Sequence, residues 1–197
     1  MLYAVLILGS MAVIATVNIF AVAPAYNYTP FQIILFTCIA TVSVILIDGV
    51  CATIVRRLLP KKWFEGLFKG YCAGKRESKF YEKIGIKKWK EKVIELGCFT
   101  NLRKNKIEDP TNNDYVLRYI TEANYGVICH LAGIVFSVFA TFCAPKNLWL
   151  TIGLPVGVVS MILSALPAFI LRYNLPKLHK LYKINERRNA LSQTKKQ

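Results

Sequence analysis

A small set of polar side chains, within or beside long apolar segments, has the chemistry to form a site. They are Asp48, Glu122, His130, Arg172, Tyr173 and Asn174. An ionisable side chain in hydrocarbon must be paired, close to the surface or functional. Taken alone, His130 is explained by an interhelical hydrogen bond and Arg172 by an anchor at the membrane surface. Their common depth toward one side of the membrane predicts instead that they form a polar site.

His130 is the residue best suited to proton transfer, and it is predicted to be catalytic. It is the only histidine within an apolar segment, and imidazole titrates near neutral pH. Such a group can take the proton from a hydroxyl that attacks an acyl group, while nearby donors hold the developing oxyanion.

Glu122 is the second predicted catalytic residue, but it is not expected to contact His130 directly. Eight residues along an ideal helix mean about 12 Å of rise and about 80° of rotation. Pairing across helices is the alternative, with Arg172 as the first choice of partner. Arg172, Tyr173, Asn174 and Asp48 are then expected to position polar groups of a substrate.

Four apolar segments must place these residues, at roughly 2–23, 31–55, 123–144 and 148–171. Each is close to the ~20 residues that a helix needs to cross ~30 Å of hydrocarbon. None carries the polar stripe of a soluble helix. We therefore predict an all-α integral membrane protein with four transmembrane helices, a single membrane domain over residues 1–197. The first segment is expected to be a retained helix rather than a cleaved signal peptide, because no basic residue precedes it.

The basic residues predict the orientation. The first 55 residues contain no lysine or arginine, whereas 17 fall between Arg56 and Arg118. The C-terminal stretch 177–197 holds seven more against one glutamate. The positive-inside rule places segment 56–122, tail 172–197 and both termini in the cytoplasm of a multi-pass cell-membrane protein.

Composition argues against several other classes of protein. With 54% hydrophobic residues and a mean hydropathy of +0.38, the chain has no room for a large separate soluble domain. The six cysteines show no close metal-ligand spacing, so neither a metal site, a cofactor nor a disulfide framework is expected. Aromatic residues among the lysines fit the headgroup region of a membrane, and no nucleic-acid partner is predicted.

The basic segment is predicted to contain an amphipathic helix. Over 79–96 the apolar residues fall near one face, although Gly85 weakens the pattern. Such a helix would lie in the cytoplasmic interface, either as a simple anchor or at the border of the site. The polar stretch 100–114 is predicted to be a loop.

Three motifs in order carry a resemblance to a known family. Residues 80–90 read FYEKIGIKKWK, Glu122 precedes His130 by eight residues at the entry to a span, and residues 172–178 read RYNLPKL. This order resembles the glycosyl-4,4′-diaponeurosporenoate acyltransferase family over roughly 57–188. The family tends to have a glutamate three residues before the histidine and a tryptophan after it, where this chain has Val127 and Leu131.

The resemblance implies a membrane acyltransferase of staphyloxanthin-type carotenoid biosynthesis. Its acceptor would be a glycosylated carotenoid or related glycolipid, and Trp89 and Lys90 of the first motif would contact substrate. The basic surface suits an acyl-CoA or an acyl carrier protein as donor, and equally suits anionic membrane lipid. The alternative is a non-catalytic four-helix accessory or lipid-binding protein, which would accommodate Val127.

Overall fold

The described part of the chain is helical. The computed structural model describes residues 2–91, 93 and 107–194, and no strand occurs among them. The long helices are α1 (Leu2–Ala21), α3 (Pro30–Leu58), α6 (Asn113–Phe136) and α7 (Leu154–Thr194). The short helices are α2 (Ala23–Tyr26), α4 (Lys75–Lys83) and α5 (Ile86–Trp89).

Among the described residues, four helical stretches are long and apolar enough to cross a membrane, which confirms the predicted all-α class. They are Ala4–Ala21, Pro30–Leu58, Asn113–Cys143 and Lys146–Leu191. Large apolar side chains on α1 and α3 point outward, among them Leu8 and Leu46. An exposed apolar surface of this kind is suited to lipid rather than to water.

The two C-terminal helical stretches extend beyond the predicted spans. Helix α6 begins at Asn113, ahead of the predicted start at residue 123, and continues as 3₁₀ helix over Ser137–Cys143. Helix α7 runs for 41 residues, or about 60 Å at 1.5 Å per residue. Because the hydrocarbon core is only about 30 Å thick, part of α7 must lie outside it.

The residues divide into two compact units, of which the first comprises Met1–Leu58 and Cys129–Leu166. Its core is apolar and includes Ile33, Ala40 and Leu148. Asn18 donates a hydrogen bond to the backbone oxygen of Thr151 at 2.8 Å. Gly153 permits close packing, because a Cβ there would lie 2.5 Å from the backbone oxygen of Thr141.

The second unit comprises Leu59–Ile128 and Pro167–Gln197. Its apolar core joins α6 to α7 and contains Val116, Tyr119, Ile120, Ala123, Val127, Leu171, Leu175 and Leu178. The segment after α3 is fixed to α6: Phe64 stacks on Tyr125 with ring centroids 3.9 Å apart. Asn124 donates a hydrogen bond to the backbone oxygen of Phe64 at 2.8 Å. This unit holds α4 and α5 against the C-terminal part of α7.

The prediction of one amphipathic helix over 79–96 is wrong at Gly85. Helix α4 ends at Lys83, Gly85 takes a left-handed conformation with φ of 72°, and α5 follows as a separate turn. A glycine in that conformation is a common terminator of helices. The two ends differ in burial as well, since Ile86 is buried and Phe80 is half exposed. Leu96 and residues 100–106 of the predicted loop 100–114 lie outside the described residues.

Candidate functional site

Arg172 forms an ion pair with Glu77 in the second unit. Its Nε lies 2.6 Å from Oε1 of Glu77, and its Nη2 lies 2.8 Å from Oε2. Two parallel hydrogen bonds of this kind fix the plane of the guanidinium as well as its position. The sequence prediction named Glu122 as the partner of Arg172, and the structure corrects it: the carboxylate placed on this guanidinium is that of Glu77.

Glu77 has further partners besides Arg172. Its Oε2 accepts a hydrogen bond from the backbone N–H of Gly74 at 3.3 Å, which caps the first turn of α4. Its Oε1 accepts a hydrogen bond from the hydroxyl of Tyr81, one turn further along. The hydrogen bond from Arg172 is the main cause that lowers the pKa of Glu77 to about 2. Glu77 is therefore ionised at neutral pH and holds Arg172 in place.

Arg172 also fixes the segment that precedes α4. Its Nη1 donates to the backbone oxygen of Gly70 at 3.1 Å, and its Nη2 donates to that of Cys72 at 3.3 Å. In return, the backbone N–H of Ala73 donates to the backbone oxygen of Arg172 at 2.9 Å. The connecting segment is thus bound to α7 through both side chain and backbone.

A second polar group surrounds Tyr173, the next residue of α7. Its hydroxyl donates a hydrogen bond to Oε1 of Glu82 at 2.9 Å. The same carboxylate oxygen lies 3.0 Å from Nζ of Lys87. The hydrogen bond from Lys87 is the main cause that lowers the pKa of Glu82. Lys177 lies one turn further along α7, with its Nζ 4.2 Å from the centre of the Tyr173 ring, a distance at which a cation is attracted to an aromatic face.

The other site residues predicted in this unit are less tightly held. Trp89 closes α5, and its indole N–H donates to the backbone oxygen of Ile84 at 3.1 Å. Lys90 follows, and its positive charge acts on Lys177 together with that of Lys87. Asn174 is partly buried on α7.

Glu122 and His130 both lie on α6 and are both partly buried. Glu122 belongs to the second unit and His130 to the first. The expectation that His130, Glu122 and the residues of α7 act on one substrate stays a prediction.

Asp48 lies on α3 in the first unit, beside a glycine of α6. A Cβ on Gly133 would lie 2.8 Å from Oδ1 of Asp48 and 3.0 Å from the hydroxyl oxygen of Ser164. Both oxygens therefore face the space that this glycine leaves open. Oδ1 of Asp48 is buried and has no hydrogen-bond partner among the described residues. Its predicted contact with substrate stays a prediction.

Sequence reasoning missed two features of the second unit. The first is Glu77, whose position four residues before Tyr81 puts both side chains on one face of a helix. The second is the contact between Cys72 and His179, whose Sγ and Nδ1 atoms are 3.5 Å apart. No spacing rule links residues 107 positions apart. Within the described ranges, no group of three His, Cys, Asp or Glu residues is arranged to hold a metal ion.

Comparison with known proteins bears on this second unit above all. No curated protein and no solved structure matches the chain significantly. A family model described as glycosyl-4,4′-diaponeurosporenoate acyltransferase matches residues 60–184, which is more than half of the chain. The match takes in Glu77, Tyr81, Glu82, Arg172 and Tyr173. The chain therefore belongs to the glycosyl-4,4′-diaponeurosporenoate acyltransferase family, whose description indicates an acyltransferase of carotenoid biosynthesis.

Proposed function

We propose that this protein moves a fatty acyl group onto a hydroxyl of a lipid-linked sugar at the cytoplasmic side of the membrane. The acceptor would be a glycosylated carotenoid or a related glycolipid. The observation that carries the proposal is the position of the Arg172 and Tyr173 clusters inside the region that matches the family. An acyltransferase needs a lipid acceptor and an acyl donor, and the exposed lysines beside Tyr173 supply positive charge for an anionic group of either.

The lysines near Tyr173 support an anionic donor. The positive charges of Lys87 and Lys90 both act on Lys177, and Glu82 offsets only part of this effect. A cluster of like charges is stabilised when an anion binds between them. The phosphates of coenzyme A, or of the prosthetic group of an acyl carrier protein, have the required charge. Anionic membrane lipid would use the same lysines.

His130 is the proposed general base for the acceptor hydroxyl. Acyl transfer to oxygen requires removal of the hydroxyl proton as the new bond forms. The side chain is partly buried within an apolar stretch of α6, where water competes less for that proton. Glu122, eight residues earlier on α6, is proposed to orient substrate.

To test the proposed function, the protein is produced in cells that also make a glycosylated C30 carotenoid, and the lipids of these cells are extracted. Mass spectrometry of the extracted lipids should show the acceptor with one fatty acyl group attached through an ester. The matched control is the same cell carrying an empty vector. Absence of the ester in cells with well-inserted protein would favour the non-catalytic alternative, which the departures at Val127 and Leu131 suggest.

The proposed orientation makes a separate prediction. Single cysteines at Asn27, Lys75 and Gln197, in a background without the six native cysteines, should differ in their reaction with a membrane-impermeant thiol reagent. In intact cells only Asn27→Cys should react, because the basic segments remain inside. In permeabilised cells all three should react, which controls for thiol accessibility. Reaction of Lys75→Cys in intact cells would overturn the orientation.

A further inference from the structure

Cys72 and His179 form a thiol–imidazole contact that the proposed function does not use. Sγ of Cys72 lies 3.5 Å from Nδ1 and 4.0 Å from Nε2 of His179. Both distances are within the reach of a hydrogen bond that involves sulfur. His179 is one of only two histidines in the chain and is almost completely buried, with 9% of its surface exposed. A nucleophile beside a base is the arrangement that covalent catalysis requires.

The fold holds both partners from one helix. Arg172 fixes the backbone at Cys72 through its Nη2, and its own backbone oxygen binds the N–H of Ala73. His179 follows Arg172 by two turns of α7, and seven residues bring it back to within about 20° of the same face. The position of Cys72 beside His179 is therefore fixed by hydrogen bonds to α7.

The surroundings of Cys72 suit a fatty acyl chain. Its side chain packs against the apolar core shared by α6 and α7. Burial raises the pKa of its thiol more than the charge of Arg172 lowers it. The thiol is therefore protonated at neutral pH and needs a base before it can attack a carbonyl, because the thiolate is the nucleophile. The imidazole of His179 is placed to be that base.

We propose that Cys72 receives the acyl group from the donor as a thioester, with His179 as its base, before the group passes to the acceptor. This inference rests on the proposed acyl transfer and divides it into two steps.

In the first step, Sγ of Cys72 attacks the carbonyl carbon of the donor thioester. The thiol proton passes to His179 as the new carbon–sulfur bond forms. The carbon–sulfur bond to the donor then breaks, and the departing thiolate takes the proton from His179. One thioester is exchanged for another, and the donor leaves as a free thiol.

In the second step, the acceptor hydroxyl attacks the carbonyl carbon of the Cys72 thioester. A carbon–oxygen bond forms and the carbon–sulfur bond breaks. The hydroxyl proton passes to water, and the Cys72 thiolate regains a proton from water through His179. The products are an oxygen ester and the free enzyme thiol. No oxidant, reductant or metal ion is required.

The direct test is to look for the acyl-enzyme. The purified full chain in lipid nanodiscs is mixed with palmitoyl-CoA or, in a second arm, with a palmitoyl acyl carrier protein, and no acceptor is added. Intact-protein mass spectrometry should show one added palmitoyl group, which neutral hydroxylamine removes. Addition of the acceptor should discharge the adduct as the ester appears.

Variants separate this adduct from adventitious acylation. Cys72→Ala should give none, whereas the matched variant Cys143→Ala should be acylated like the parent. His179→Gln, which preserves the site, should slow acylation by roughly 10²-fold, the usual effect of removing a proton-transfer group.

Other outcomes would contradict the thioester, the proposed function or both. Undiminished acylation of Cys72→Ala would overturn the assignment to Cys72. Ester formation by the parent with no adduct before acceptor is added would overturn the thioester and leave the proposed function standing. Neither ester nor adduct from either donor would overturn both.

Discussion

His130→Gln is expected to lose acyl transfer by roughly 10²-fold or more while remaining a stable membrane protein. Glutamine fills similar space and still makes hydrogen bonds, so a histidine kept for packing would tolerate the change. Glutamine has no proton-accepting equilibrium near neutral pH, so a general base would not. Glu122→Gln should lose activity as well if its charge orients substrate.

The measurement is the rate of ester formation by purified variants, followed by mass spectrometry. Gel filtration and thermal unfolding in detergent establish that each variant is monodisperse and folded. Ser137→Ala is the matched control. Ser137 lies seven residues after His130, and its buried hydroxyl donates a hydrogen bond to the backbone oxygen of Gly133 at 2.6 Å. Because this hydroxyl is used within the helix, its removal should leave the rate nearly unchanged. Parental rates from His130→Gln would remove His130 from the mechanism.

Glu77→Gln is expected to destabilise the protein by about 2 kcal/mol, the scale of hydrogen bonds to a charged group. The carboxylate has Arg172, Tyr81 and the backbone N–H of Gly74 as partners. An amide cannot satisfy all of these donors and leaves Arg172 without its counter-charge. Thermal unfolding in detergent at pH 7 measures the difference. Glu82→Gln is the control, because its pair with Lys87 is exposed and contributes little.

Because of the Glu77 carboxylate, the stability of the protein is expected to decrease as the pH falls below about 4.5. The Arg172 guanidinium lowers the pKa of Glu77 from its ordinary value of 4.5 to about 2 in the folded protein. A lowered pKa contributes stability that is fully present above about pH 4.5 and is lost as the pH falls toward 2. The parent should therefore lose its advantage over Glu77→Gln between pH 5 and pH 2. A difference in stability between the parent and Glu77→Gln that stays constant from pH 5 to pH 2 would contradict the ion pair.

The apolar helices could be predicted from sequence because hydrophobicity is a local property. A stretch such as 31–55 must be helical in lipid to satisfy its own backbone groups, whatever it packs against. Gly85 was visible as a weak point of the predicted amphipathic helix. The weakness alone does not predict that Gly85 takes the left-handed conformation that ends α4 at Lys83 and starts α5 at Ile86, because a glycine inside a helical pattern is tolerated as well.

The polar contacts of the second unit could not be predicted, because they join distant parts of the chain. Arg172 is separated from Glu77 by 95 positions, and several carboxylates were available to it. The sequence favours Glu122 as the partner, since Glu122 and Arg172 both flank apolar segments. Glu77 has a fixed orientation on α4, because it accepts hydrogen bonds from the backbone N–H of Gly74 and from the hydroxyl of Tyr81. The sequence alone does not distinguish it from the other carboxylates.

The most direct test of acyl transfer uses purified protein, an acyl donor with an isotope-labelled chain and a glycosylated carotenoid acceptor. Single-turnover mixing followed by lipid mass spectrometry should show the labelled chain attached to the sugar through an ester. Its yield should rise with the amount of protein and fall by roughly 10²-fold in His130→Gln. A correctly inserted, monodisperse parent that leaves all label on the donor would contradict the proposed function.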